Sequence, residues 1–422
     1  MERSSSLNAR QNILSIYQHQ PVDEVVFQPR MEYWFNRNRE LGHLPPRLAN
    51  LELFEFFDTL GCAIRAYGPY GSCLETIEAP GVKYETFTRG PGGQTAAQPL
   101  AAGADLFQVR AQFTNRVFPP GSQRIDRITT PVGVLETHIT YTDRSWHTDQ
   151  YPVQSPADVR PLKYLLEGTQ YRFNYDRFRE IDALIGPRSV PMLFLPRVNI
   201  QRLSVEFLGF EKTMMALYDD LNLMEDLIQT INTADERVMD AVVPCPIPII
   251  SFDDNIDQHL CSPRLFARYI LPAYQHRSAR MHAAGKKCHA HWDGHCRLLL
   301  PFLDRTGLVG VEALTPLPQG DLTIADMKTA LGEDLILLDG IPMTAFLPHT
   351  PQEDFEHITR EIIETFAPNL ILGISDEPSP DCLLERIERV VAIAAEYRGK
   401  VMDLAARRQT QIPVKDATPC PH

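Results

Sequence analysis

The sequence predicts an α/β protein, a (β/α)8 TIM barrel that carries an antiparallel hairpin insertion in its N-terminal third. Three observations predict it. From about residue 156 onward, short apolar segments alternate with helical stretches of 10–20 residues, the rhythm of parallel βαβ units. Segments starting near positions 25, 63, 190, 248, 287, 309, 335 and 370 give eight strands, the number that closes such a barrel. Residues 82–151 break the rhythm: stretches at 84–88, 108–114 and 133–142 alternate polar with apolar residues between Pro/Gly clusters, which reads as hairpins.

The elements follow in order. Residues 8–17 read as a helix, 25–27 as a strand, 51–60 as a second helix and 63–67 as a second strand. Residues 90–104, rich in Gly, Ala and Pro, are the most loop-like stretch, and the hairpin insertion around them would form a rim or lid over the barrel mouth. Helices are expected at 157–166, 171–185, 205–219, 224–242, 263–284, 297–305, 322–331, 352–366 and 381–397. Strands fall between them at 190–195, 248–252, 287–291, 309–313, 335–338 and 370–374. Residues 1–406 are expected to form one barrel domain, and the polar, proline-bearing stretch 407–422 a poorly ordered tail.

Composition narrows the function. With 44% hydrophobic and 23% charged residues the chain matches soluble globular proteins. A net charge of −13 argues against a nucleic-acid partner, because phosphate binding calls for a basic face. Eight cysteines in 422 residues are too sparse for a disulfide scaffold, so they read as reduced thiols and the location as cytoplasmic. The N-terminus lacks a cationic start followed by an apolar core, and no charge-free apolar run is long enough to span a bilayer, so neither export nor a membrane is expected.

The densest chemistry lies at 286–300, KKCHAHWDGHCRLLL. A buried strand at 287–291 would deliver His291 and Asp293 to its carboxyl end, the edge where α/β folds collect their binding groups. An imidazole nitrogen and a carboxylate two residues apart offer two ligands to a divalent ion such as zinc, which needs at least one more from elsewhere. Cys288, His289, His295 and Cys296 are read as packing or solvent-facing residues. Asp253, Asp254, Asp293, Glu312, Asp339, Asp376 and Glu377 each fall at or just after a predicted strand end. One such acid is ordinarily a helix cap, but several around one rim would repel unless a cation sits among them. A metal held by His291, Asp293 and the Asp376–Glu377 pair would relieve that repulsion. At the exit of the first strand, Arg30, Tyr33 and Trp34 either line a pocket or simply pack at a helix start.

Residues 263–399 resemble the uroporphyrinogen decarboxylase superfamily, in particular its corrinoid-linked methyltransferase branch. The resemblance rests on HWDG followed by LLPFLD, on Gly310-Val311-Glu312-Ala313-Leu314-Thr315-Pro316-Leu317, on Gly320-Asp321-Leu322 and on Leu372-Gly373-Ile374-Ser375-Asp376, with Gln20-Pro21-Val22-Asp23-Glu24-Val25-Val26 similar near the N-terminus. Two departures shape what it implies. Gln28-Pro29-Arg30-Met31-Glu32 stands where the decarboxylases carry an arginine-rich grip for porphyrinogen carboxylates. Asp293 and Asp376 fall where thiol-methylating relatives carry zinc-binding cysteines, while His291 matches their histidine.

Oxygen ligands leave a metal a harder Lewis acid than thiolates do, suited to polarising a leaving oxygen. The resemblance therefore implies a zinc-dependent methyltransferase, a demethylase component that passes the methyl group of a small methylated donor, an O-methyl ether, to the cobalt of a separate corrinoid protein. His291, Asp293 and Asp376 would hold zinc, and Glu312 or Glu377 would serve as a further ligand or proton donor. Gln28, Arg30, Tyr33 and Trp34 would shape the substrate end, with Asp254 and Asp339 as weaker candidates. The sequence leaves the oligomeric state open, a homodimer included. Two alternatives stand beside this reading: a metal-independent decarboxylase or lyase, and a non-catalytic binder of a tetrapyrrole or other small ligand.

Overall fold

The computed structural model describes residues 8–92, 95–99, 118–142, 145–404 and 406, with 95–99 as backbone. The expected strand at 108–114 and the expected tail at 407–422 lie outside the described residues. Its centre is a curled parallel sheet built from β1 (Val26–Phe27), β9 (Met192–Leu195), β10 (Ile249–Ile256), β11 (Lys287–Trp292), β12 (Gly310–Glu312), β13 (Ile336–Pro342) and β14 (Leu370–Ser375). The strand order is β1-β14-β13-β12-β11-β10-β9, and every pairing is parallel. Both faces are covered, so β13 and β14 are buried along their whole length, as the near-continuous apolar runs of parallel strands require.

Helices supply the outer cover. In Leu221–Val242 the buried positions Met224, Leu227, Ile228, Ile231, Ala234 and Val238 recur every three or four residues, one stripe of a 3.6-residue period. Each such Leu or Ile removed from water stabilises the fold by about 1.5–3 kcal/mol. That helix is pinned to its neighbour Leu271–Ala283 by a buried ion pair in which Arg277 donates to Asp235 at 2.5 Å.

Two antiparallel sheets lie outside this frame. β2 (Leu74–Ile77) pairs with β8 (Gln170–Phe173). β3 (Lys83–Arg89), β4 (Thr95–Pro99), β5 (Gln123–Thr130), β6 (Gly133–Tyr141) and β7 (Trp146–Gln150) form a sheet of order β4-β3-β5-β6-β7. The buried hydroxyl of Tyr141, on β6, accepts from Arg37 at 3.0 Å, which ties this sheet to the helix Glu32–Glu40 that leaves β1.

Several elements differ from the sequence reading. Residues 63–67, expected as the second strand, form no ladder among the described residues. Residues 62–66 run extended across the gap between the sheet edges, Ala63 N–H donating to Phe27 on β1 and Ile64 N–H to Arg188 ahead of β9. The segment is too short to pair further, because the chain turns into the helix Tyr67–Gly71. The helix expected at 171–185 begins only at Tyr175, where the Asn174 side chain caps it by accepting from Arg177 N–H; the four residues before Asn174 are β8. β10 extends to Ile256 through a register irregularity, so Asp253, Asp254 and Asn255 lie within the strand instead of after it. The helix expected at 297–305 is reduced to a tight 3-10 turn, Leu300–Arg305, and the loop-like stretch 90–104 contains β4.

Candidate active site

The site is built outward from Glu312, the last residue of the central strand β12. Register places it beside His291 on β11 and Leu338 on β13. Because side chains alternate along a strand, His289 and His291 share a face. Both reach Glu312: His289 Nε2 lies 3.3 Å from Oε2 and His291 Nδ1 lies 3.3 Å from Oε1. The carboxylate also accepts from the Tyr67 hydroxyl at 2.5 Å.

Two guanidinium groups complete the cluster. Arg65, from the extended segment across the gap, is buried and donates through Nη1 to Asp339 Oδ2 at 2.9 Å, with Nη2 2.7 Å from Oδ1 as an ion-pair contact. It also stands 3.4 Å from Glu312. Arg30, from the exit of β1, donates to Asp376 at 2.9 Å and lies 3.7 Å from Glu312. The cations that offset this acidic mouth are therefore arginines.

The backbone around the cluster is strained. Among the described residues only four other than glycine have positive φ, and three of them are Ala313, Asp339 and Asp376. Ala313 and Asp376 directly follow β12 and β14 and Asp339 lies within β13, and left-handed backbone at non-glycine positions collects where function constrains geometry. Gly373 on β14 leaves the room that the Asp339 carboxylate occupies. A Cβ there would intrude on the Asp339 carboxylate and stand 3.2 Å from the Gln28 carbonyl oxygen.

Burial and partners push the titrating groups apart. Burial alone would raise Glu312, but Arg65, the two imidazoles and Arg30 hold it well below the ordinary carboxylate range. Asp339 is raised, because burial outweighs Arg65 and Glu312 adds repulsion. Burial lowers His289 and keeps it neutral, whereas His291 is raised, its burial overcome by the bond to Glu312. Toward solvent, burial raises Asp293 and Glu377, lifts Asp253 to about 6 against the pull of Arg197 and His291, and lifts Glu32 to about 7. Acids and bases with separated proton affinities, packed together, are a pattern of catalytic sites.

Of the residues read from the sequence, the structure brings Arg30, His291, Asp293, Glu312, Asp339, Asp376 and Glu377 into one neighbourhood. His291 Nε2 and Asp293 Oδ2 face each other at 3.9 Å. Asp376 is turned to Arg30, and among the described residues no set of three or more His, Cys, Asp or Glu side chains is arranged to hold one ion. Gln28 is buried and donates to the Ile64 carbonyl oxygen while its own oxygens accept from Arg65, so it orients the arginine. Trp34 is a core residue, donating to the Cys382 carbonyl oxygen and stacked against Phe56. Tyr33 stands beside Arg37 and Tyr141. Asp254 points to the other face, where it accepts from Val198 N–H.

Sequence reasoning missed Arg65, Tyr17, Tyr67 and His289. Arg65 had a signal, a lone cation inside an apolar run. His289 had one too, lying two residues before His291 and hence on the same face.

No family model and no curated protein matches this chain. Among solved structures it is similar to a methyltransferase from Methanosarcina mazei, with a TM-score of 0.52 and 14% identity over 93% of this chain and 99% of that one. At that identity the likeness is one of fold. A B12-independent methionine synthase from Shewanella sp. W3-18-1 is more distant, with a TM-score of 0.31 and 12% identity over 65% of this chain and 73% of that one, too low to carry an argument.

Proposed function

We propose that this chain is a methyl-transferring enzyme that takes a methyl group from a small donor, an O-methyl ether, and passes it to the cobalt of a corrinoid on a separate protein. The observation that carries the reading is the fold it shares with a methyltransferase over nearly the full length of both chains, joined to a mouth where acids, imidazoles and arginines meet. Fold alone does not assign chemistry; the mouth supplies what such a transfer needs.

When the methyl group leaves, the C–O bond breaks and the departing oxygen keeps the electron pair, so it needs a proton or a positive charge. The corrinoid brings the nucleophile. Asp293 and Glu377, whose proton affinity burial raises, are the groups positioned to donate a proton to that oxygen. Arg30, whose partner Asp376 is 55% exposed, can exchange that partner for the leaving oxygen. Glu312 and Arg65 keep the floor fixed and dry.

Zinc on His291 and Asp293, with Asp376 recruited from Arg30, is the metal form of this proposal. As arranged, the residues supply two of those ligands and hold the third on an arginine, so the set does not close around an ion and no step is routed through one. The arginine-balanced mouth equally favours a second reading, a decarboxylase that works without metal.

The test is to mix the purified chain with chemically reduced cobalamin and a panel of methoxy compounds, methylamines and methyl thioethers, and to follow methylcobalamin by its absorbance. Formation with a methoxy donor, lost in His291→Ala, supports the reading. Carbon dioxide release from a carboxylated substrate, unchanged after exhaustive chelation, supports the decarboxylase instead. Metal analysis of the wild type and of His291→Ala decides the zinc form separately.

A further inference from the structure

Beneath Glu312 lies a buried chain of hydrogen bonds that the reading above does not use. The Tyr17 hydroxyl, on the helix Ala9–Tyr17, is 2.8 Å from His289 Nδ1. The Tyr67 hydroxyl is 2.6 Å from His289 Nε2 and 2.5 Å from Glu312 Oε2. Glu312 continues to His291 through Oε1, 3.3 Å from Nδ1. All but His291 are 0–5% exposed, and His291 is 7% exposed at the mouth.

Counting protons fixes the direction of the chain. Glu312 faces two guanidinium groups, so it is a carboxylate and can only accept. Tyr67 has a single hydroxyl proton and gives it to Glu312. Its oxygen must then accept from His289 Nε2–H, which leaves Nδ1 bare to accept from the Tyr17 hydroxyl. At the other end, a carboxylate beside His291 Nδ1 requires the proton on that nitrogen.

We propose that Tyr67 and His289 are positioning residues. Through Glu312 they fix the tautomer of neutral His291, proton on Nδ1, so that a bare Nε2 faces the mouth beside Asp293. The device resembles the general way in which a second partner on one imidazole nitrogen decides what the other nitrogen does. What the bare Nε2 does there, as base or as metal ligand, rests on the function proposed above; which nitrogen carries the proton does not.

The geometry also explains why the aromatic partners are tyrosines. The Tyr67 ring stacks on Phe194, with centroids 3.8 Å apart, so phenylalanine would fill the same space and remove only the hydroxyl. In Tyr67→Phe, Glu312 loses its closest donor and His289 loses its acceptor, and the carboxylate is free to rotate toward Arg65 and Arg30.

The experiment is long-range proton–nitrogen correlation spectroscopy on the full chain labelled with 15N-histidine, at a pH where His291 is neutral. His289→Gln and His291→Ala assign the two rings. The expected result is His291 protonated on Nδ1 and His289 protonated on Nε2 in the wild type, with His291 shifting toward the Nε2–H form in Tyr67→Phe. Where methyl transfer is measurable, Tyr67→Phe lowers kcat about ten- to hundredfold with KM little changed. Wild-type His291 carrying its proton on Nε2 overturns the proposal, and that spectrum needs no variant beyond those used for assignment. A His291 with the expected tautomer in a chain that transfers no methyl group upholds the proposal and refutes the assigned function, so the two failures are distinguishable.

Discussion

At the scale of single residues, the mouth depends on Arg65. It sits between two buried carboxylates, Glu312 and Asp339, at 3.4 and 2.7 Å, and removing one partner of a buried ion pair leaves charge without compensation. Arg65→Met is expected to destabilise the chain by about 3–5 kcal/mol, measured as a lowered denaturant midpoint, whereas Arg65→Met combined with Asp339→Asn recovers part of the loss. Glu32 gives a prediction with a pH sign. Burial lifts its folded pKa to about 7, above the ordinary glutamate range, so its contribution is most favourable below the unfolded value and is lost as pH rises through about 7. Glu32→Gln should therefore match the wild type at pH ~4 and exceed it at pH ~8; equal midpoints at both would refute the shift. Glu312 works in the opposite sense: held low in the fold, it stabilises above the ordinary carboxylate range and loses that contribution as acid protonates it. His291 and Asp293 were legible in the sequence because their spacing and strand-end position announce them. Arg65 stood out as a lone cation in an apolar run, but its partners were not legible, because they come from strands about 250 residues later in the chain, too far for any local pattern to record.

At the scale of elements, periodicity identified the parallel strands and most of the outer helices, since each buries a face that leaves its mark in the sequence. It failed where pairing, not burial, decides. Residues 63–67 carry the apolar composition of a strand yet Ala63 and Ile64 make one backbone bond to each side, and residues 171–173 look helical until β2 offers them an antiparallel edge. β13 and β14 show how close approach is secured. They are in register from Leu337↔Leu370 to Pro342↔Ser375, and Gly373 leaves the room that Asp339 occupies. Gly373→Ala is expected to push the Asp339 carboxylate off Arg65 and lower stability by about 1–3 kcal/mol through overpacking. An unchanged thermal midpoint, with crystallographic coordinates that still pair Asp339 to Arg65, would refute this account of the β13–β14 contact.

At the scale of the whole molecule, the parallel sheet gathers groups from β1, the 62–66 segment and β11 to β14 at one end, where binding sites of such folds lie. The sequence placed several acids at strand ends and expected a metal among them. What it did not reveal is that Arg30 and Arg65 supply positive charge there. With a net charge of −13, the chain is also expected to meet a basic face on any corrinoid-bearing partner, and their association should weaken as salt screens the attraction. The most direct test of the central claim uses a methoxy donor labelled with 13C in its methyl group, reduced cobalamin and the intact chain. The account predicts that label appears on cobalt with the wild type and falls at least about tenfold with His291→Ala, the loss of one group acting on the transferring methyl or its leaving oxygen. Label that stays on every donor tested, or that reaches cobalt equally fast with His291→Ala, would contradict it.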